Sequence, residues 1–291
     1  MSIMIQLDSI NWVQLDEAVR QEMKQAYRLI PLKPGLEAEV MRVELSDQLY
    51  VLKIWNKESR PDIGKQYELL SALAQSGVRV SRPYGWGMDQ HRNQVLLMSY
   101  DGVPVTRLGR HILSRMAQTL HEIHQYSVNV TDHREELEAY LPRYDFVDYF
   151  FPQAAEHEDI YPIVHDLTKR VQIRQEHLIH GDYNLGNMVE MNGQYTIIDW
   201  TNGQYGDPRY DAAWSVFLIR IYNGEEWGHF YQTALQAVSN HMLDEESAFE
   251  ALAWLRWVLL SRGGGVPRDA EVTRRVLNIA AHNPYLHANL L

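Results

Sequence analysis

HLIHGDYNLGNMVEMNGQYTIIDWTNGQYGDPRYD, residues 177–211, carries more chemistry than any other part of this 291-residue chain. Asp182 follows His180-Gly181, Asn187 comes five residues later, and Asp199 ends an apolar run. The segments Met188–Glu190 and Tyr195–Ile198 are β-prone, which puts an acid, an amide and a second acid on short loops carried by a strand pair. Glycines between these pieces allow sharp turns. One acid can take a proton, while the amide and the other acid can share a hard, oxygen-seeking cation such as Mg2+. A phosphoryl transferase needs that set of groups.

Working outward, 45% hydrophobic content is enough for a substantial core, and 22% charged residues argues against wholesale disorder. The chain has no cysteine, which excludes disulfides, thiolate zinc sites and cysteine nucleophiles, and fits a reducing compartment. MSIMIQLDSI lacks the basic and apolar regions of a signal peptide. The apolar stretches at 212–219 and 251–260 are too short, or too interrupted by Arg220 and Arg256, to span a bilayer. The expectation is a cytoplasmic protein with no membrane partner. With a formal net charge of -11 and no Lys/Arg-rich run, nucleic acid is not an expected partner either. The acidity could attract a cationic substrate, although solubility alone accounts for it.

Residues 8–28 read as an amphipathic helix, with Leu15, Val19, Met23 and Tyr27 every fourth position. Val40–Leu45 and Leu49–Trp55 read as a hairpin around Ser46-Asp47-Gln48. Lys53 lies in its second strand between Leu52 and Ile54, where its charge must find either a partner or the solvent face of an edge. A helix after Pro61 carries Ile63, Tyr67, Leu70 and Leu73 on one face and stops at Gly77. Gln94–Ser99 is another strand, and Tyr100-Asp101-Gly102 a turn-like link. Beyond it the pattern turns helical, with Leu113, Met116, Leu120 and Ile123 in one helix and a further helix near 163–175. From Asp211 onward the chain reads as helices punctuated by Asn223-Gly224 and Gly263-Gly264-Gly265.

A strand lysine (Lys53), the loop His180-Gly181-Asp182 with Asn187, Ile198-Asp199-Trp200, and Gly206-Asp207-Pro208 with Tyr210-Asp211-Ala212 follow one another in this order. The combination resembles the aminoglycoside phosphotransferase and choline kinase family of protein-kinase-like small-molecule kinases. In that group the catalytic loop is HGD, and IDW stands where protein kinases have DFG. The resemblance implies an α+β, protein-kinase-like two-lobe fold, with a small β-rich N-lobe and a larger, mostly helical C-lobe. Residues 1–100 would be the nucleotide-binding lobe, and 101–291 the lobe with the catalytic loop, the metal and the acceptor site.

By the same resemblance Asp182 is the catalytic residue, accepting or orienting the proton of a substrate hydroxyl. Asn187 and Asp199 would hold Mg2+ on the nucleotide, ATP or GTP, and Lys53 would neutralise its α- and β-phosphates. Ser99 and Tyr100 lie where hinge backbone groups meet the purine. His180 and Asp211 are read as supports of the catalytic loop. The partners implied are a nucleotide and a small hydroxylated substrate, with the oligomeric state open.

The chain departs from the pattern twice. No GxGxxG precedes Lys53, where only Pro34-Gly35-Leu36-Glu37-Ala38 stands. The glutamate that normally pairs with the strand lysine is replaced by Gln66, which shares the helical arc of Ile63, Leu70 and Leu73, whereas Glu68 points away. An amide there can hydrogen-bond Lys53 without the ion-pair contribution. The acceptor site is expected among the aromatics and acids of 140–161 and in the 225–260 region with Glu225, Glu226, Asp244, Glu245 and Glu246. These groups suit an aminoglycoside-like or other cationic acceptor. The alternative reading is a catalytically weak, nucleotide-binding kinase-like module, and a metal-dependent hydrolase is a distant third. His121/His124 and His177/His180 lack the zinc-site pattern, and Trp254 and Trp257 read as helix core.

Overall fold

The computed structural model describes residues 6–32, 38–57, 61–125, 140–239 and 245–291. Strand β1 (Asn11–Leu15) leads through helix α1 (Glu17–Glu22) to β2 (Tyr27–Pro31), β3 (Ala38–Leu45) and β4 (Gln48–Trp55). Helix α2 (Ile63–Gln75) precedes β5 (Pro83–Met88), β6 (Gln94–Ser99) and the two-residue β7 (Val103–Pro104). The expected hairpin, α2 and Gln94–Ser99 all stand. β1 to β6 form one antiparallel sheet in the order β1-β5-β6-β4-β3-β2, with Lys53 opposite Val40 and Leu96 on the flanking strands. Lys53 is therefore on an interior strand of the sheet, not at an edge. The Pro34–Glu37 part of the segment before the lysine lies outside the described residues.

The helix expected over 8–28 does not form. Asn11–Leu15 pairs with β5 and Tyr27–Pro31 with β3, leaving only Glu17–Glu22 helical. Asp16 starts that short helix by accepting the N–H groups of Ala18 and Val19. The four-residue spacing of Leu15, Val19, Met23 and Tyr27 crosses three elements; Val19 and Met23 are buried, and Leu15 and Tyr27 pack partly buried against the same core from separate strands. Distant strands decided the rest, and no local period records them.

After β7 come α3 (Arg110–Gln125), α4 (Phe146–Phe150), α5 (Tyr161–Val171) and β8 (His177–Ile179). Helix α5 begins and ends earlier than the expected 163–175. Pro162 occupies its first turn, where a missing N–H costs nothing, and Gln172 closes it in the left-handed region at φ 51°. Strands β9 (Met188–Met191) and β10 (Gln194–Ile197) make the expected pair. Asn192 and Gly193 turn it, both at positive φ, as a two-residue hairpin requires. β11 (Gln204–Gly206) pairs with β8. Helices α6 (Pro208–Asn223), α7 (Glu225–Val238), α8 (Glu246–Arg262) and α9 (Ala270–His282) complete the chain. Among the described residues no helix is long and apolar enough to cross a membrane.

Two compact units result. One joins Met188–Thr201 to the chain up to Pro104; the other comprises Val105–Gln125, Leu141–Asn187 and Asn202–Leu291. The first has a core of Val43, Leu45, Leu52, Val95 and Leu97 with Leu7 and Val19. The core of the second gathers α4 to α6 with α8 and α9 around Trp254 and Trp257, both fully buried as expected.

Candidate active site

In the first unit the sheet holds Lys53 by β4, and Asp199 follows the hairpin β9–β10. The Lys53 ammonium lies 3.3 Å from Asp199 Oδ1 and 5.7 Å from the centre of the Trp55 ring. The pair joins residues 146 apart in sequence. Asp199 has φ 66°, a left-handed conformation that aspartate tolerates better than most residues. Its side chain is 43% exposed, and Oδ1 also accepts from Thr201 at 3.4 Å. Gln66 is buried on α2, on the face with Ile63, Leu70 and Leu73, and makes no side-chain hydrogen bond among the described residues.

Ser99 and Tyr100 end β6. The Ser99 N–H donates to Arg82 O and its hydroxyl to Asp101, while the Tyr100 N–H donates to Leu49 O. The backbone N–H groups of both residues are therefore already committed within the first unit. Gly102, at φ 115°, approaches β9 so closely that an added Cβ would lie 2.0 Å from Glu190 O.

The second unit holds Asp182 and Asn187 on the loop after β8. Asn187 Nδ2 donates to the Asp182 carbonyl at 2.9 Å and to its Oδ2 at 3.2 Å. The indole N–H of Trp214, on α6, donates to Oδ1 at 2.8 Å. The loop is anchored below by Asp211, which is fully buried and accepts the backbone N–H groups of His180 and Gly181, each at 2.9 Å, and His124 Nε2 at 3.1 Å. Burial pushes the Asp211 carboxyl up, but the His124 hydrogen bond and charge, with those of His180, hold it below the ordinary carboxylate value. Asp211 thus supports the His180–Gly181 backbone directly.

The local sequence explains the arrangement. Asp207 caps α6 through the Arg209 N–H, and Pro208 takes the helix's first position. One turn on, Asp211 meets the loop backbone. Gly181 is at φ 77°, and a Cβ there would come within 2.7 Å of Asn202 O, so an arginine, as in HRD, would not fit.

Of the sequence candidates, then, the structure brings Lys53 to Asp199 and Asn187 to Asp182, and gives Gln66 no bond to Lys53. His124, Trp214 and Arg256 escaped the reading. His124 carries no signal beyond its place on α3. Arg256 had one, a lone charge in the apolar run ALAWLRWVLL. Its guanidinium donates to Gly181 O at 2.8 Å and is itself nearly buried. No group of three or more metal-binding side chains occurs among the described residues.

The model of the phosphotransferase enzyme family matches residues 28–275. The chain belongs to that family. A search of curated proteins finds no match to this family member. Among solved structures it is similar to the aminoglycoside phosphotransferase APH(4)-Ia, as a thermostable mutant in a ternary complex with ADP and hygromycin B. The TM-score is 0.66 at 15% identity, over 91% of this chain and 96% of that one. The ethanolamine kinase of Plasmodium vivax gives 0.61 at 14%, over 90% and 83%. Choline kinase LicA of Streptococcus pneumoniae gives 0.59 at 14%, over 91% and 97%. Such identities speak for the fold, and they establish the protein-kinase-like two-lobe α+β architecture expected from the sequence.

Proposed function

We propose that this family member is a small-molecule kinase that moves the γ-phosphate of ATP or GTP to a hydroxyl group. The observation that carries the reading is the Lys53–Asp199 pair, in which the strand lysine meets the acid assigned to the metal. In this reading residues 1–100 serve the nucleotide and 101–291 the acceptor. Lys53 neutralises the α- and β-phosphates, and Ser99 and Tyr100 meet the purine. Asp182 receives the acceptor hydroxyl and orients its proton. An ordinary carboxylate is a weak base, so its contribution is mainly positioning in a loose transition state.

Asn187 and Asp199 would hold Mg2+. An amide oxygen and a carboxylate are the hard donors this ion takes, and the half-exposed Asp199 has Oδ2 without a hydrogen bond among the described residues. When bound, the ion neutralises charge on the nucleotide phosphates. A cytoplasmic setting, where both nucleotides are available, accompanies this reading.

The acceptor is a small hydroxylated molecule, with an aminoglycoside-like or other cationic compound as one class. Three of the acids proposed to attract it, Glu225, Glu245 and Glu246, are committed, while Asp244 lies outside the described residues. Glu225 and Glu250 pair with Arg220, Glu245 lies 3.9 Å from Arg170, and Glu246 accepts from Gln232. Gln66 favours the second reading, a nucleotide-binding module with weak catalysis, because it leaves Lys53 without the usual glutamate.

Nucleotide-dependent thermal shifts with and without Mg2+, followed by phosphate transfer to a panel of hydroxyl acceptors, separate the two. The kinase reading expects transfer that Asp182→Ala reduces by at least about 100-fold, with nucleotide binding kept. Binding without transfer to any acceptor, indifferent to Asp182→Ala, supports the module.

A further inference from the structure

The second unit contains a buried cation that the reaction does not call for. Arg256, in the middle of α8, is 8% exposed and has no carboxylate partner among the described residues. Burying a guanidinium without a counter-ion is costly, so its surroundings must supply the compensation. They do so in three ways. Nη1 donates to Gly181 O at 2.8 Å, and the guanidinium lies 4.2 Å from the centre of the Trp214 ring and 4.8 Å from that of Phe150. Arg256 thus ties the backbone of the HGD loop to the face of one indole. The edge of that same indole donates its N–H to Asp182 Oδ1 at 2.8 Å.

The two donors on the Asp182 carboxylate differ in kind. An indole nitrogen is only ever a donor, and Trp214 is 3% exposed and packed, so its bond to Oδ1 is fixed. Asn187 reaches Oδ2 at a longer 3.2 Å, through an amide that has other work. Asn187 Oδ1 has no hydrogen bond among the described residues, so the amide can offer its oxygen to a cation with Nδ2 still on Asp182; Asp182 Oδ2 then carries only the longer of the two bonds, while Asp182 Oδ1 keeps Trp214.

We infer that Trp214, clamped by Arg256, is a positioning residue that holds Asp182 by Oδ1 and so makes Oδ2 the oxygen that receives the acceptor hydroxyl. The inference rests on the kinase reading for the role of Asp182, but not for the contact itself. Trp214 acts through Asp182 and touches neither phosphate nor metal, so its loss should slow turnover without weakening the nucleotide.

The test compares Trp214→Phe with the full-length wild type in an acceptor-transfer assay. Removing a hydrogen bond to a charged group predicts a kcat about 10- to 100-fold lower, with the nucleotide KM within about twofold. Arg256→Lys keeps the charge but loses the planar stack, and should give a smaller drop of the same kind. If Trp214→Phe fails to fold, 3-benzothienylalanine at position 214 keeps the ring volume and lacks the N–H. Wild-type kcat in a folded variant lacking the N–H would overturn the inference, as would a rise in nucleotide KM with kcat unchanged.

A readout independent of turnover is the Trp214 indole N–H resonance, which Asp182→Asn should displace. A wild type inactive on every acceptor would defeat the kinase reading alone. An indole resonance unmoved by Asp182→Asn would defeat the present inference.

Discussion

Asp211 shows how one side chain can hold the loop after β8 in place. Its two oxygens take two backbone N–H groups and one imidazole, all in a fully buried setting. Breaking a buried, hydrogen-bonded charge typically costs about 3–5 kcal/mol, so Asp211→Asn should lower the unfolding free energy measured in urea by an amount of that order. The pH dependence has a defined sign. Because the folded-state pKa lies below the ordinary aspartate value, this carboxylate stabilises the fold above that value and loses its effect as the pH falls through the folded one. Stability of the wild type should therefore drop more steeply below about pH 4 than that of Asp211→Asn. Parallel denaturation curves between pH 3 and 5 would refute this. At this scale much could be read in advance, since GDPRYD already specifies a helix cap, a first-position proline and an acid one turn later. Trp214 could not be read, because a tryptophan on an apolar helix looks the same whether or not its N–H reaches a loop; Arg256 stands out as a lone charge in ALAWLRWVLL, but its partner Gly181 is 75 residues away.

Among the elements, those with a local signature were read correctly, such as the β3–β4 hairpin, α2 ending at Gly77, and α3 with its four buried apolar positions. The helix expected over residues 8–28 is confined to Glu17–Glu22, since β1 and β2 exist only through β5 and β3. Helix α2 also carries the chain's main departure from its family's pattern. Gln66 sits on its buried face as the helical wheel placed it, yet Lys53 finds Asp199 instead. Gln66→Glu is expected to give Lys53 a second carboxylate and hold it across the strand. The nucleotide Kd should fall about fivefold, the equivalent of about 1 kcal/mol, with Tm preserved because the new charge is paired. An unchanged Kd with a lower Tm would mean that the acid is buried without reaching the lysine, and would remove the premise that position 66 governs nucleotide affinity.

For the molecule as a whole, the kinase reading raises the question of what kind of acceptor an acidic protein of net charge -11 would prefer. Two contributions have to be separated. Local attraction needs uncommitted carboxylates, yet of the candidate acids Glu225, Glu245 and Glu246 already hold Arg220, Arg170 and Gln232. The long-range field of the net charge remains, and it is screened when the Debye length shrinks from about 30 Å at 0.01 M to about 8 Å at 0.15 M ionic strength. A cationic acceptor should therefore show a KM that rises with salt over this range, while a neutral hydroxyl acceptor should show none. Because the glutamates are paired, Glu225→Gln and Glu245→Gln should leave the cationic slope almost as it was. A slope that either substitution abolishes would show instead that these side chains hold the acceptor directly, and that their arginine partners let go of them to do so.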